Sequence, residues 1–517
     1  MEYYREGGGF GNLQFRRGKV ANLAFFYMSH FAWVILAALV LISLAGCEPT
    51  PTKGSDTGIG LKPFNDAILK LRQDDGFLSK ENVDSLKKLV LEAKGGRLAK
   101  WKDSDGQVNM DSLADYIVKE GIIQNKRNIT DPVPESFDVN FFIKNSGNMY
   151  GYINPKGTFQ EALFGLLADL KSSKQSGNIS LNYVNTVVTH SVPYNSDDVA
   201  VNYIHKVNLA DFVRLGRGNG GDPGETDFDK VFGHILKMVD KNSICILAAD
   251  FIFSPGKVQD VGDYIKKHSN SIKVKFSNKI DELDLAVLVF RMESNFDGNY
   301  WNKKGVGVGR ITAQRPYYIW FIGSPQHLAK IIGNKKLMTF LKNNGYTGDN
   351  MVFESLGAEK QLEFKIAASE KYSVPIKERN KIKAKKTRDS ATFFVDVNFN
   401  DAFRDSAFFV NSVKVSDGYA LSVKPSKNNR FKHRLTLKSE KLIRGDLKIS
   451  VEGKIPEWVD KVNSTDDVNI KKDVSEQSKT YGFKDIMEGV YSAFYPTVSM
   501  DEPHVLQTLN LNVQLED

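Results

Sequence analysis

The chain is poor in the residues that thiol and metal chemistry need: two cysteines and eight histidines in 517 residues. Cys245 lies inside the apolar run SICILAAD, reads as a small buried hydrophobe and suggests no Cys–His pairing. The histidines are scattered; only His190 and His205 come near each other, without metal-ligand spacing. No GxSxG is present, and RLGRGNGGDPG, Arg214 to Gly224, lacks the Lys and the Ser or Thr of a phosphate loop. That glycine-rich segment reads as a mobile loop beside a sheet edge. Charge of one sign is also scarce. Lys and Arg number 70 against 62 Asp and Glu, and a surplus of +8 over this length reads as a solvated surface with no nucleic-acid partner. Against these absences stand an apolar fraction of 41% and a charged fraction of 26%, which exclude a largely disordered chain. The 41 Gly and 33 Phe point to sheet and turns, and the length calls for two or three domains.

Long apolar runs are limited to one. Phe31 to Gly46 is uncharged for sixteen residues and follows Arg16, Arg17 and Lys19, the layout of a secretory signal. It is short of the roughly twenty residues that span a bilayer. A start at Met28 would leave almost no positive charge ahead of it, so Met1 is kept. Leu44, Ala45, Gly46 and Cys47 resemble a bacterial lipobox. The resemblance implies cleavage after Gly46, diacylglycerol on Cys47 and further acylation, palmitate included, at its amine. Each buried CH2 then contributes roughly 0.8 kcal/mol of anchoring. Residues 47–62, rich in Pro, Thr, Gly and Ser, read as a tether. Everything after Cys47 is expected to be extracytoplasmic and held to a membrane by lipid, the outer membrane ahead of the inner. The richness in Phe and Asn is similar to that of lipoproteins of Bacteroidetes-type bacteria.

Residues 63–130 carry apolar positions at helix spacing, with Ser79 and Asn109 as N-caps, and predict a small helical domain acting as spacer or docking unit. RQDDGFLS and KDSDGQVNMDSL lack oxygen ligands at the required calcium-loop positions and read as turns. After the boundary DPVPES, strands and helices alternate over 137–346, which predicts a mostly parallel, doubly wound α/β sheet. Thr158 and Glu161 predict a capping box. ISLNYVNTVVTH reads as one strand, and Glu293 to Gln314 as an aromatic, glycine-rich insertion whose SNFDGNYW either forms a contact surface or packs on the next domain. From 351 to 517 the period is two, predicting an antiparallel β-sandwich interrupted by the helix FKDIMEGVYSAF. The basic run Lys377 to Arg388 reads as a solvated loop or a contact for anionic head groups.

Three stretches carry a resemblance. FFIKNSGNMYG, GETDFDKVFGHIL and ICILAADF follow the order of the motifs in a von Willebrand factor A domain, across roughly Asp138 to Tyr346. These are a strand ending in Asp-x-Ser-x-Ser, a Thr ahead of a helix, and an Asp ending a central strand. The resemblance implies a metal-ion-dependent adhesion site at the carboxyl edge of the sheet, with Ser146 and Asn148 at the two serine positions, Thr226 at the threonine and Asp250 at the final aspartate. Lys144 stands where the first aspartate belongs. An ammonium group cannot coordinate Mg2+ and repels it, so the expectation is that Lys144 replaces the ion, pairs with Asp250 and leaves a degenerate, metal-free site. Each residue also has a structural reading: Thr226 as an N-cap, Asp250 as a loop cap, Gly147 and Gly151 as permissive backbone.

Together these features predict a non-enzymatic binding or scaffold lipoprotein of the bacterial envelope, without a cofactor, holding a protein partner there or at the cell surface. The alternative is an envelope hydrolase with Ser146 and Asp250 in a sheet-edge cleft, since a lysine such as Lys144 can activate a serine.

Overall fold

The computed structural model describes residues 61–516 with short breaks, the longest being 191–206. The expected signal, Cys47, most of the tether and His205 lie outside the described residues. No helix among those described is long and apolar enough to cross a membrane.

The protein is a mixed α/β molecule with an open seven-stranded sheet, two smaller sheets of five and four strands, a two-stranded pair (Asn463–Ser464 with Thr480–Tyr481) and a helical N-terminal region. The helices Leu61–Leu71, Lys80–Glu92 and Met110–Lys119 enclose their own cluster around Phe64, Leu86, Trp101 and Ile117. Ser79 and Asn109 cap the last two through Asn82 N and Ser112 N, as their positions predict. Asp103 accepts from the amides of Asp105 and Gln107, an ordinary turn closed by Gly106 at φ +75°.

The large sheet contains β1 (Phe137–Lys144), β2 (Ser176–Val184), β3 (Val188–His190), β4 (Ser243–Ala249), β5 (Ala286–Trp301), β6 (Gly307–Gly323) and β7 (Tyr346–Glu354), in the order β3-β2-β1-β4-β6-β5-β7. Only β2, β1 and β4 run parallel. β6 lies antiparallel to β4, and β5 and β7 continue antiparallel. The expectation of a mostly parallel sheet therefore holds for one half only. The reason is the segment taken as an insertion: Glu293 to Gln314 is the far part of one long β5–β6 hairpin, paired from Ala286↔Gly323 to Trp301↔Gly307. A hairpin needs no crossover helix, so it reverses direction directly. ISLNYVNTVVTH likewise splits into β2 and β3, turned at Asn185, whose side chain accepts from Val187 N. β4 is buried along its whole length because helices cover both faces.

Thr158 forms no capping box. Its hydroxyl donates to Glu293 O, and Ser294 Oγ accepts from the amides of Thr158 and Phe159 in its place. A cap from the hairpin locks the helix Phe159–Ser172 to β5, which no local sequence rule encodes.

Beyond β7 come β8 (Glu363–Ile366), β9 (Tyr372–Ser373), β10 (Lys381–Ala384), β11 (Ala391–Asn398), β12 (Val413–Val415), β13 (Ala420–Pro425), β14 (His433–Ser439), β15 (Gly445–Gly453), β16 (Asn463–Ser464), β17 (Thr480–Tyr481) and β18 (His504–Leu515). A four-stranded antiparallel sheet β13-β14-β11-β8 and a five-stranded sheet β12-β15-β18-β10-β9 share one cluster around Val395, Leu435, Ile449 and Leu511. β10 runs parallel to β18, so the second sheet is not purely antiparallel. The basic run expected to be a loop supplies β10.

Two boundaries differ from expectation. β7 pairs with β5 and belongs to the large sheet up to Glu354. The stretch from Ile455 to Met500 returns to the large sheet's core, where Trp458, Phe483, Val490 and Phe494 are buried. Its helix Phe483–Phe494 lies along the helix Val261–Glu282, so closely that a Cβ on Gly489 would come within 2.6 Å of Ser269 O. The helix that interrupts the β pattern is thus part of the α/β unit.

Candidate functional site

β1 and β4 are neighbours in register, with Ile143 beside Ala248. That register brings the residues just past their ends together. Lys144 Nζ is in ion-pair contact with Asp250 Oδ1, and both side chains are fully buried. The ammonium lies 3.5 Å from Ile252 O and 5.2 Å from the centre of the Phe228 ring. Asp250 Oδ1 also accepts from Ile252 N at 3.3 Å. Burial lowers the Lys144 pKa, and the Asp250 charge and hydrogen bond act against that shift. Removing either partner would strand the other as a lone buried charge.

The backbone after Asp250 is unusual. Phe251 has φ +53°, the only positive φ among the described non-glycine residues, a conformation costing roughly 1–2 kcal/mol. An aromatic stack holds it there: its ring lies 4.6 Å from Phe228 and 4.7 Å from Trp320. The turn that presents Asp250 to Lys144 is therefore set by core packing.

The other predicted residues reach the same sheet edge and are engaged otherwise. Asn148 Oδ1 accepts from Trp301 N at 2.7 Å and its Nδ2 donates to Trp301 O at 2.9 Å, so both ends of the amide are spent on the hairpin. Thr226 pairs through its backbone with Ser254 and is not the N-cap; Asp227 is, accepting from Asp229 N and Lys230 N. Ser146 is buried, and among the described residues its Oγ and Asp250 Oδ2 have no hydrogen-bond partner. The glycine-rich segment does lie beside this edge, where Pro223 O accepts from Gly147 N at 2.8 Å.

The edge is closed by two elements. From one side the long hairpin lays Phe296 and Trp301 over the turn Gly147–Tyr152: a Cβ on Gly151 would sit 2.4 Å from the Phe296 ring, and one on Gly298 would sit 2.6 Å from Gly151 Cα. The turn and the hairpin touch backbone to backbone, which is why both positions are glycine. From the other side comes the returning stretch. Tyr481 O accepts from Phe253 N, Asp467 accepts from Tyr300 OH at 2.8 Å and from Lys303 N, and buried Arg315 donates to Gln477 O and Lys479 O. The aromatic insertion is thus neither a free contact surface nor a face of the C-terminal sheets; it packs on the turn.

The donor set does not fit Mg2+. One Asp250 oxygen is held by Lys144 and Ile252 N, Asn148 is spent, and the Lys144 ammonium itself stands at the strand end facing Asp250. A cluster missed from the sequence lies nearby. Asp227, Asp229 and His268 bring ligand-type atoms within 4.8 Å of one another, but Lys275 pairs with Asp229, and Lys230 lies 3.5 Å from Asp227. The spacing Asp227-x-Asp229 at a helix start was the available signal. Its carboxylates are balanced by lysines and by the cap.

No protein-family model matches the chain, and no curated protein sequence matches it.

Proposed function

We propose that the chain is a lipid-anchored, non-enzymatic protein-binding or scaffold component of the bacterial envelope, built on a von Willebrand A-like unit whose adhesion site has lost its metal, with a β-sandwich beside it. The observation that carries this reading is the buried Lys144–Asp250 pair at the strand ends, where the resemblance would put an ion. The parallel strands β2-β1-β4 with helices between them support the A-like assignment, and the antiparallel β6-β5-β7 half departs from it. The cluster shared by the two smaller sheets supports a sandwich. Binding is favoured over hydrolysis because Ser146 and Asp250 lie beneath the hairpin, at 3% and 0% exposure.

Calorimetric titration of the purified protein with Mg2+ and Mn2+ tests the metal-free site. No micromolar binding is expected; micromolar binding abolished in Asp250→Ala would sink the reading. Screens with esterase, phosphatase and glycosidase substrates address the alternative, and turnover lost in Ser146→Ala would overturn the preference. Radiolabelled palmitate incorporated by the native protein and absent in Cys47→Ala is the expected result for the anchor.

A further inference from the structure

A second strand edge is left without a pairing strand among the described residues. β8 is the outer strand of the four-stranded sheet, paired only with β11. Its register places Ala367 opposite Phe394, and Ala367 N donates to Phe394 O. Hydrogen-bonded pairs alternate along an antiparallel ladder, so Lys365 and Glu363 face β11 through their backbones while Phe364 and Ile366 turn their N–H and C=O groups outward. Among the described residues no strand takes up those groups.

This edge borders a groove of about 1330 Å³, lined by the end of the helical region, by β8 and by residues 374–380. A drug-sized pocket spans about 300–1,000 Å³, so the groove has room for a peptide. One wall is apolar, with Val118, Phe364, Val374 and Ile376. Ile376 is 94% exposed, more than any other large hydrophobic side chain described. The lining carries both signs with a basic surplus: Glu120, Glu363 and Glu378 are paired with Arg379, with Arg72 and Arg430, and with Lys381, whereas Lys119, Lys365 and Lys377 have no ion-pair partner among the described residues.

The wider charge distribution has the same sign. From Glu363 to Gly453 the sequence holds 20 Lys and Arg against 11 Asp and Glu, so this stretch alone exceeds the +8 of the whole chain. Isolated edge strands are normally shortened or charged to prevent pairing. Here the edge is short, yet it stands beside an apolar wall and a bare isoleucine, the arrangement that a strand-adding peptide uses.

We propose that β8 and its groove capture an extended acidic segment of a partner protein by strand addition. The segment would alternate apolar residues, set against Val374 and Ile376, with acidic residues reaching the three lysines. The inference rests on reading the chain as a binding protein, but the surface is separate from the Lys144–Asp250 edge.

The test probes the purified protein with an array of octapeptides alternating Glu with Val or Ile, together with Lys-for-Glu copies and copies N-methylated at alternate amides. Binding is expected for the acidic set, at least tenfold weaker for the Lys set, and at least tenfold weaker in one N-methyl register, with amide exchange slowed at Phe364 and Ile366. Ile376→Asp should weaken binding tenfold or more without moving the melting temperature. Binding indifferent to N-methylation would overturn strand addition, and equal binding of the Lys set would overturn the acidic partner. No peptide binding, or binding only to phosphatidylglycerol vesicles, would overturn the proposal as a whole. Metal titration and turnover assays read the other edge, so an array failure leaves the functional reading standing.

Discussion

The β1–β4 edge and the β8 edge are built from the same material and finished in opposite ways. At the first, the strand ends carry a lysine and an aspartate, and two distant segments cover them until both are fully buried. At the second, lysines and an exposed isoleucine border backbone groups that no described strand pairs with, although Ile366 itself is buried. A buried charge forces its surroundings to be complete, because an unpaired ion in a low-dielectric interior costs several kcal/mol. A solvated one makes no such demand. The first edge is therefore specified by stability and the second is free to be specified by a ligand.

The contrast is broken most sharply at Asp250. Asp250→Ala leaves Lys144 buried without a partner and should destabilise the protein by about 3–5 kcal/mol, measured by chemical denaturation. The double variant Lys144→Met with Asp250→Leu should recover most of that loss, because two apolar side chains of similar length remove the charge along with its partner. A double variant no more stable than Asp250→Ala would show that packing around the pair, and not its charge, dominates.

His504 tests whether burial still dominates where no ion-pair partner is in contact with the charge. Its ring stacks on Tyr495 at 3.8 Å, its Nδ1 lies 3.3 Å from Tyr491 OH, and burial, reinforced by the Arg404 charge and opposed by Glu354, lowers its pKa to about 4. The unfolded chain takes up this proton near pH 6.5 and the folded chain near 4. Stability is therefore complete above pH 6.5 and falls as the pH drops to 4, by up to about 3 kcal/mol. Equilibrium unfolding across that window should show the slope, and His504→Gln should flatten it.

Gly298→Ala acts on the cover. Its new methyl meets the Gly151 backbone and should cost about 2 kcal/mol by forcing the hairpin off the turn, seen as a lower denaturation midpoint. Ile376→Ser, at the open edge, should change stability by less than about 0.5 kcal/mol. A larger loss would mean that the isoleucine is held by the fold.

The ion pair was legible because strand ends can be read from apolar runs: FFIK and ILAAD each end on a charge, and neighbouring parallel strands bring such ends together. The caps at Ser79 and Asn109 were legible for the same local reason. The cover was not. FKDIMEGVYSAF announces a helix but not which core it joins, and Tyr481, Asp467 and Gln477 reach their partners across more than 150 residues. The hairpin was hidden because Gly298 and the aromatics around it obscure the alternation that marks a strand. Its glycine is explained only by the Gly151 backbone it touches, a contact between segments that no local pattern records.

The returning stretch also sets an order of events. Lys144 and Asp250 can pair once β4 is made, but Tyr481 and Phe483 follow some 230 residues later, after β8 to β15 and before β18, the strand that completes the five-stranded sheet. Until then the pair faces water and the strand ends are accessible to chaperones and proteases. Completion of the α/β unit must await closure of a loop that holds most strands of the two further sheets, and contacts of such long sequence separation make folding slow. Protease protection around Phe251 should be among the last to appear during refolding, later than protection of the β5–β6 hairpin, whose contacts are local.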